Sequence, residues 1–368
     1  MPRPTSEHLW KETPLIHSDR ISSIIGCSAF LKLENLHPSH SFKYRGISHF
    51  AQTAKEIHGT DVHLIIASGG NAGLAAACAA KALGVRCTVF IPEGVTASTL
   101  DLLKRQEAEV IVHGSFYLQA LERAKEVVNS DEKAVMVPAY DDPTVWEGHS
   151  SMIAEISDQL QDKPDAIFCS VGGGGLLGGI ITGCKKVGWD DVPIVAIETR
   201  GSDCFYHSIA LNRQGVSHVL PPDVNLVEGD DSDVKLAFFN EFSSRASGSL
   251  GASSPSEGVV RMALRRGGGV VSASVPDELS MQVALAFADD HKMLVELSCS
   301  TTLTPAYKPG LFSTLVPDSP KKVVFIVCGG FKVSLEEMAI YKKLLDEDMT
   351  KSATWDILCD GRKFKVGK

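Results

Sequence analysis

The chain has 368 residues, of which 44% are hydrophobic and 22% are charged, and it carries a net charge of −9. This balance is typical of a soluble globular protein with one large or two ordinary domains, and the negative charge disfavours nucleic acid and acidic membranes as partners. The sequence shows no secretion signal and no membrane-spanning run, and its nine cysteines include no CxxC pair. We therefore expect a cytoplasmic protein with reduced thiols.

Strands alternate with helices through the first half of the chain. Residues 1–35 form a lead-in that ends in a strand over residues 29–34, and a helix then runs to His58. The following elements are predicted as strand 62–67, a helix to residue 83, strand 86–91, helix 99–107, strand 110–112, helix 116–128 and strand 135–138. Such alternation predicts a parallel sheet that helices cover on both faces.

The second half repeats this alternation with longer irregular stretches. Its predicted elements are helix 148–160, strand 166–170, a helix to residue 187, strand 194–197, helices 259–265 and 276–290, strand 323–327 and a helix to residue 345. Residues 212–240 contain Pro221, Pro222 and several acidic side chains, and we interpret them as a solvated surface insertion. The tail, residues 346–368, shows little pattern.

One lysine, Lys43, follows an aromatic residue shortly after the first predicted strand. Most lysines in loops are solvated surface residues. A lysine can also be an amine nucleophile that forms a Schiff base with an aldehyde cofactor. Three glycine-rich stretches elsewhere in the chain bear on the choice between these two interpretations.

Four consecutive glycines follow strand 166–170 and open the next helix: Gly172, Gly173, Gly174 and Gly175. A sharp turn at a helix N-terminus exposes backbone N–H groups and a partial positive charge, so it favours a phosphate. Gly173, Gly175 and Gly178 also match the dinucleotide fingerprint, with Glu198 at the end of the next strand. An NAD(P)-dependent oxidoreductase is therefore an alternative.

The other two stretches also end predicted strands. Ser68, Gly69, Gly70 and Asn71 precede an alanine-rich helix and could bind a carboxylate, or they could be an N-cap cluster with close helix packing. Cys328 ends the last strand before two glycines. It could be a buried structural cysteine, or a hydrogen-bond partner for a ring nitrogen at the edge where ligands collect.

Together these stretches resemble the fold-type II pyridoxal-phosphate enzymes, and among them the L-serine/L-threonine dehydratases. The matching residues are 34–36, 38–46, 68–73, 146–152, 171–176, 198–199 and 328–330. The resemblance extends from about Thr13 to Met338, and residues 146–152 are particular to the serine dehydratase branch. It implies an α/β protein with two open, twisted, mostly parallel sheet domains. The large domain would comprise residues 1–35 and 147–345, the mobile small domain residues 36–146, and residues 346–368 would be a tail.

The resemblance also implies a role for each matching residue. Lys43 would be the catalytic residue and would carry the cofactor, pyridoxal 5′-phosphate, with Phe42 against its ring and Asn71 on its 3-hydroxyl. The phosphate would be held by Gly172, Gly173, Gly174, Gly175 and Leu176, and Cys328 would face the ring nitrogen. Ser68, Gly69, Gly70 and Asn71 would bind the substrate carboxylate. A monovalent cation, K⁺ or Na⁺, would be bound by Gly172, Glu198, Ser202, Leu250 and Ala252.

The activity implied is β-elimination, in which a homodimer converts L-serine to pyruvate and ammonia, and L-threonine to 2-oxobutanoate. Another β-elimination or a β-replacement on an amino acid is the alternative within the same cofactor class. The chain departs from the family pattern at His40, where glycine is usual, and at Phe331, where a small polar residue is common. Residues 297–300 replace the usual Pro-Ala-Cys-Gly, so we expect an altered pocket wall near the ring nitrogen.

Overall fold

The fold is seen in a computed structural model that describes residues 8–213, 215, 218–230, 233–316 and 318–368. The first seven residues of the lead-in and residues 214, 216, 217, 231 and 232 of the predicted insertion lie outside the described residues. The strands are β1 (Leu15–His17), β2 (Ser28–Leu33), β3 (His63–Ala67), β4 (Arg86–Ile91), β5 (Glu109–Val112), β6 (Ala134–Met136), β7 (Ala166–Ser170), β8 (Ile194–Thr199), β9 (Val224–Glu228), β10 (Lys235–Phe239), β11 (Val270–Val275), β12 (Lys322–Val327), β13 (Thr354–Cys359) and β14 (Arg362–Gly367). The α-helices are α1 (Asp19–Ile25), α2 (Lys43–His58), α3 (Asn71–Leu83), α4 (Ala97–Arg105), α5 (Tyr117–Ser130), α6 (Pro143–Gln159), α7 (Gly175–Lys186), α8 (Cys204–Asn212), α9 (Ser247–Leu250), α10 (Glu257–Arg265), α11 (Asp277–His291), α12 (Leu297–Thr302), α13 (Thr304–Tyr307), α14 (Pro309–Leu315) and α15 (Leu335–Met349).

The larger of two open sheets has the strand order β1-β2-β12-β7-β8-β11-β13-β14. Its five central strands, from β2 to β11, pair in parallel, and the flanking strands pair antiparallel. Strands β7 and β12 are continuous apolar runs, as expected where helices cover both faces of a sheet. The predicted α/β class with mostly parallel open sheets is confirmed.

The smaller sheet has the order β5-β4-β3-β6, and all of its strands pair in parallel. Its strands lie between residues 63 and 136, within the range predicted as the small domain. The alanine-rich helix α3 packs on it because eight of its buried positions are alanine, cysteine or glycine, whose short side chains allow close helix-to-sheet contact.

Helix α6 lies between helices α2 and α7 and contacts both closely. A side chain at Gly148 would lie 2.7 Å from Gly46 Cα, and one at Gly179 would lie 2.3 Å from His149 Cβ. Glycine is therefore required at the crossing points of these helices. Residues 146–152, which carry part of the resemblance, thus serve partly as packing that sets the position of α2, the helix that begins at Lys43.

Two segments of the second half contain strands that the sequence pattern does not predict. The supposed surface insertion contains the antiparallel hairpin β9–β10, whose Leu236, Ala237 and Phe239 are buried. The tail contains the end of α15 and the hairpin β13–β14, which extends the large sheet. Asp360 and Gly361 form its two-residue turn with φ of 49° and 79°, an Asp-Gly signal that predicts such hairpins.

Candidate active site

A cavity of about 520 Å³ lies between the two sheets, at the carboxyl ends of β3, β7 and β12. The predicted site residues that line it are Phe42, Lys43, Ser68, Gly70, Asn71, Gly172, Gly173, Gly174, Gly175, Leu176, Leu250, Ala252 and Cys328. Gly69 lines an adjoining cleft, whereas Glu198 and Ser202 are fully buried and line neither space. The fold thus brings together residues that are up to about 290 positions apart in the chain.

The segment before Lys43 is hydrogen-bonded to the end of β12. Phe42 N–H donates to the Cys328 carbonyl at 3.0 Å, and Ser41 forms a β-bridge with Gly329. His40 has a φ of 59° and its carbonyl accepts from Gly330 N–H at 2.7 Å. The position where glycine is usual therefore does adopt the left-handed conformation, which histidine enters more readily than most residues.

Lys43 is the first residue of α2, and its Nζ donates to the Ala139 carbonyl. Burial lowers the pKa of Lys43 to about 8, and the nearby Cys328 partly offsets this shift. A larger fraction of this amine is therefore uncharged near neutral pH than of an exposed lysine. An uncharged amine in a cavity can act as a nucleophile or as a base.

Arg45 anchors helix α2 two residues after Lys43. Its guanidinium is buried and donates to both carboxylate oxygens of Glu34, at 2.6 and 2.8 Å, and of Glu155, at 2.6 and 2.7 Å. Burial alone would raise the pKa of Glu34, but Arg45 and His37 hold it well below its usual range. The charged network explains why Glu34 and Arg45 accompany the lysine in the sequence motif.

The glycine loop between β7 and α7 is closely surrounded by other chain segments. A side chain at Gly172 would lie 2.8 Å from the Leu250 carbonyl oxygen, and one at Gly173 would lie 2.4 Å from the Tyr140 ring. Gly174 has a φ of 97°, which favours glycine. Because the first N–H groups of a helix have no partner within it, the start of α7 offers donors to a phosphate beside the cavity.

Asn71 links the two sheets in this structure. Its Nδ2 donates to Glu296 at 3.1 and 3.3 Å and to Ser249 Oγ at 3.2 Å, and its Oδ1 accepts from Phe331 N–H at 3.2 Å. A bond from Asn71 to a ring hydroxyl, as the resemblance implies, would require the amide to exchange some of these partners. The preceding Gly70 N–H bonds to Ser68 Oγ at 3.2 Å, at the start of α3.

Glu296 is a site residue that sequence reasoning missed. It is 3% exposed and accepts from Ser249 Oγ at 2.6 Å, from Ser298 Oγ at 3.0 Å and from Lys332 N–H at 2.7 Å. A side chain at Gly330 would overlap its carboxylate, at 2.0 Å, which accounts for that glycine. The signal that could have found it is an acidic residue directly before the altered stretch 297–300.

Cys328 lies at the base of the cavity among other small polar groups. It is 4% exposed, and Ser170 Oγ lies 3.5 Å from its sulfur. Gly329 N–H donates to the sulfur of Cys299 at 3.3 Å, and burial raises the pKa of Cys299 well above its usual range, with Cys328 adding to the shift. Ser170 and Cys328 thus present a hydroxyl and a sulfur to the cavity, and no carboxylate is among the described residues that line it.

Glu198 lies beneath the cavity and binds the start of α8. Its carboxylate accepts from Phe205 N–H at 3.0 Å and from Tyr206 N–H at 2.6 Å. Burial, together with Asp203, raises the pKa of Glu198 well above its usual range. Because this side chain is fully buried, it cannot bind a ribose at the cavity. The dinucleotide alternative therefore loses the acidic residue that it needs.

Comparison with known proteins extends over almost the whole chain. Residues 7–329 match the family model described as pyridoxal-phosphate dependent enzyme. The chain is 35% identical over 347 residues to a human protein named L-serine dehydratase/L-threonine deaminase, covering 93% of this chain and 97% of that protein. It is also 35% identical over 358 residues to the human protein named serine dehydratase-like, covering 94% and 100%. The crystal structure of a fungal L-serine ammonia-lyase from Rhizomucor miehei has a TM-score of 0.80 and 32% identity, covering 92% of this chain and 99% of that one.

Proposed function

Because the chain belongs to the pyridoxal-phosphate dependent enzymes, we propose that it is an L-serine ammonia-lyase that converts L-serine to pyruvate and ammonia. L-Threonine would give 2-oxobutanoate by the same reaction. The observation that carries the proposal is Lys43, an amine of lowered pKa that shares one cavity with a glycine loop at a helix N-terminus. Relatives named L-serine dehydratase/L-threonine deaminase and serine dehydratase-like match over nine-tenths of the chain or more.

The residues around the cavity fit pyridoxal phosphate. Gly172, Gly173 and Gly174 line the cavity directly before helix α7, so N–H groups at this helix start can donate to a phosphate in the cavity. Phe42 supplies an aromatic surface, and the sulfur of Cys328 a hydrogen-bond partner for the ring nitrogen. When bound, this cofactor withdraws electrons from the substrate Cα and so makes the Cα proton removable.

We assign the removal of the Cα proton to Lys43. Its Nζ is held by the Ala139 carbonyl, and the lowered pKa leaves the amine able to accept a proton near neutral pH. The same atom would hold the cofactor between turnovers. With Cys328 and no carboxylate facing the ring nitrogen among the described lining residues, a protonated ring is not stabilised, which favours elimination over reactions that need a long-lived carbanion.

The stretch Ser68, Gly69, Gly70 and Asn71 is proposed to bind the substrate carboxylate. These residues open helix α3, whose first N–H groups and partial positive charge favour an anion. The Lys332 ammonium, which donates to the Gly248 carbonyl at 3.4 Å, would lie 3.6 Å from a side chain at Gly70 and adds positive charge. Substrate binding here would favour closure of the small domain, residues 36–146, and exclusion of water.

A monovalent cation, K⁺ or Na⁺, is proposed beneath the phosphate loop. The fully buried Glu198 lies near Asp203, its described hydrogen-bond donors are the N–H groups of Phe205 and Tyr206, and a cation there would offset the cost of its burial. Gly172, Ser202, Leu250 and Ala252 would contribute carbonyl oxygens. Activity in K⁺, in Na⁺ and in a bulky organic cation at equal ionic strength tests this proposal.

We further propose a cytoplasmic homodimer. The nine cysteines are all free, which fits a reducing compartment. Among the helices of the described residues, none has the length and apolar character needed to cross a membrane. The dimer rests on the family resemblance, and light scattering of the purified protein would test it.

The decisive experiment supplies the protein with pyridoxal phosphate and each of serine, threonine and cysteine, and assays 2-keto acid and ammonia. Serine should give pyruvate and ammonia in equal amounts, whereas a β-replacement enzyme would need a second nucleophile and release no keto acid. Lys43→Ala should abolish both covalent cofactor attachment and turnover. The matched variant Lys81→Ala, on the surface of α3, should retain both. Near-normal turnover in Lys43→Ala would exclude the assigned role.

A further inference from the structure

Four exposed apolar side chains lie around the opening of the cavity that contains Lys43, and we call them the apolar mouth: Tyr117, Leu118, Phe238 and Phe242. They are 51%, 65%, 36% and 37% exposed, respectively. Two come from α5 on the small sheet, and two from the end of β10 and the residues after it. Apolar side chains that cluster on a surface usually mark a binding site.

The apolar residues of α5 are not needed to form the helix. Helix starts prefer Ser, Thr, Asp or Asn, but Phe116 occupies the N-cap position here. The cap is supplied by Gln119, whose Oε1 accepts from the N–H groups of Ser115 and Phe116 at 2.8 and 3.3 Å. The helix packs on its sheet through Ala120 and Ala124. Tyr117 and Leu118 therefore satisfy no evident requirement of the fold.

The hairpin side of the mouth is held in place by the core. In β10, Leu236, Ala237 and Phe239 are buried, whereas Phe238 faces the cavity. The ring of Phe242 stacks on that of Phe239, with centroids 6.3 Å apart. The hairpin thus presents two aromatic rings to a space that it shares with the catalytic lysine.

Serine would make little use of this surface, because its β-carbon carries only a hydroxyl. The polar requirements of the reaction are met deeper in the cavity by Lys43, by the Ser68 to Asn71 stretch and by the glycine loop. An apolar group on the β-carbon would cover part of the mouth, and each buried CH₂ stabilises binding by about 0.8 kcal/mol.

We propose that the preferred substrates are L-β-hydroxy amino acids whose β-carbon carries an aryl or branched alkyl group. This inference rests on the proposed function and extends it. The Cα–H and Cβ–O bonds break, water leaves, and the resulting enamine takes up a proton at Cβ to give an imine. Water hydrolyses the imine to a 2-keto acid and ammonia. L-Phenylserine would thus give phenylpyruvate and ammonia, without net oxidation or reduction.

The test measures kcat/KM for L-serine, L-threonine and L-threo-phenylserine with the cofactor-loaded enzyme, by ammonia release. We expect kcat/KM for phenylserine to be about tenfold higher than for serine, which is the discrimination that one or two additional buried methylenes provide. Leu118→Ser and Phe238→Ser should each lower the phenylserine-to-serine ratio about tenfold. Leu226→Ser is the matched control, because Leu226 is 49% exposed on the same hairpin but does not line the cavity. Its ratio should equal that of the parent enzyme.

Two other outcomes would overturn the inference in distinguishable ways. If serine is turned over but phenylserine is not, or if the ratio is the same in all variants, the apolar mouth does not select substrates and the proposed function stands. If a cofactor-loaded enzyme releases ammonia from none of the three amino acids, the proposed function fails as well. Substitutions at these exposed positions should leave the fold intact, since surface changes usually alter stability by about 0.5 kcal/mol or less.

Discussion

Replacing Arg45 with methionine would test how the helix that begins at Lys43 is anchored. The guanidinium makes four hydrogen bonds of 2.6–2.8 Å to Glu34 and Glu155, and it is fully buried. Methionine is unbranched and apolar, so it fills much of the space but leaves both carboxylates without this partner. The variant therefore keeps much of the packing but removes the ionic contacts, together with the hydrogen bonds from Arg45 to Ser151 Oγ and Thr13 Oγ1, both at 3.1 Å.

The loss of stability in Arg45→Met depends on which partners Glu34 and Glu155 keep. Removing one partner of a buried ion pair costs about 3–5 kcal/mol. Glu155 keeps Lys32 at 2.6 Å, and Glu34 keeps His37 at 2.9 Å, so we expect the lower end, about 3 kcal/mol, at neutral pH. Such a loss is a large part of the roughly 5–15 kcal/mol that stabilises a typical protein, but it leaves the variant folded.

The loss should also depend on pH. In the parent protein the pKa of Glu34 is held well below its usual range, so its stabilising charge persists until strongly acidic pH. Without Arg45, burial would raise the pKa of Glu34 above its value in the unfolded chain. In the variant, the buried charge of Glu34 would then destabilise the folded protein at neutral pH, and protonation of Glu34 at acidic pH would remove this destabilisation. The difference between parent and variant should shrink as the pH falls from about 7 to about 4.

The assay is urea unfolding at several pH values, followed by far-UV circular dichroism and compared at the midpoint. Arg266→Met is the matched control, because this buried guanidinium donates to the backbone carbonyls of Trp189, Val192 and Gly269. Its nearest carboxylate, on the half-exposed Asp190, is 3.9 Å away, so its cost should vary little with pH. A pH-independent difference for Arg45→Met, equal to that of the control, would refute the reasoning.

Three further predictions concern the cofactor site and its flanking loop. Because the pKa of Lys43 is lowered to about 8, pyridoxal phosphate should attach to the cofactor-free protein faster as the pH rises from about 7 to about 9. Stopped-flow absorbance would measure the attachment rate, and a rate that does not change with pH would contradict this prediction. Gly172→Ala should weaken cofactor affinity at least about tenfold, or 1.4 kcal/mol, because the new methyl group would lie 2.8 Å from the Leu250 carbonyl. Gly310→Ala, which meets open space, is the control in the same equilibrium titration. His40→Gly should raise the urea midpoint by relieving about 1 kcal/mol of left-handed strain; a lower midpoint would show that histidine contacts outweigh it.

Much of the fold was predictable because its signals are local. Apolar runs of four and five residues mark β7 and β12, and the spacing between strand, glycines and helix marks the loop at Gly172. The Asp360-Gly361 pair is also a sequence signal for the C-terminal hairpin. The alternation of the buried residues Trp355, Ile357 and Cys359 with less buried ones is harder to recognise, because polar residues surround them. Its place beside β11 depends on a pairing across about 85 residues, which no local pattern encodes.

The amino-acid sequence alone was enough to propose which residues carry the chemistry: a lysine after an aromatic residue, and three glycine stretches at the ends of strands. These features depend on residue type and on short spacing, and both are visible in one dimension. The groups that surround these residues depend on contacts between distant segments, which the folded chain alone shows. Asn71 meets Glu296 from 225 positions away, Arg45 meets Glu155 from 110 away, and the hairpin bearing Phe238 faces helix α5 across the cavity. Such contacts depend on how the two sheets pack against each other, so the residues that surround Lys43 can be identified only from the folded structure.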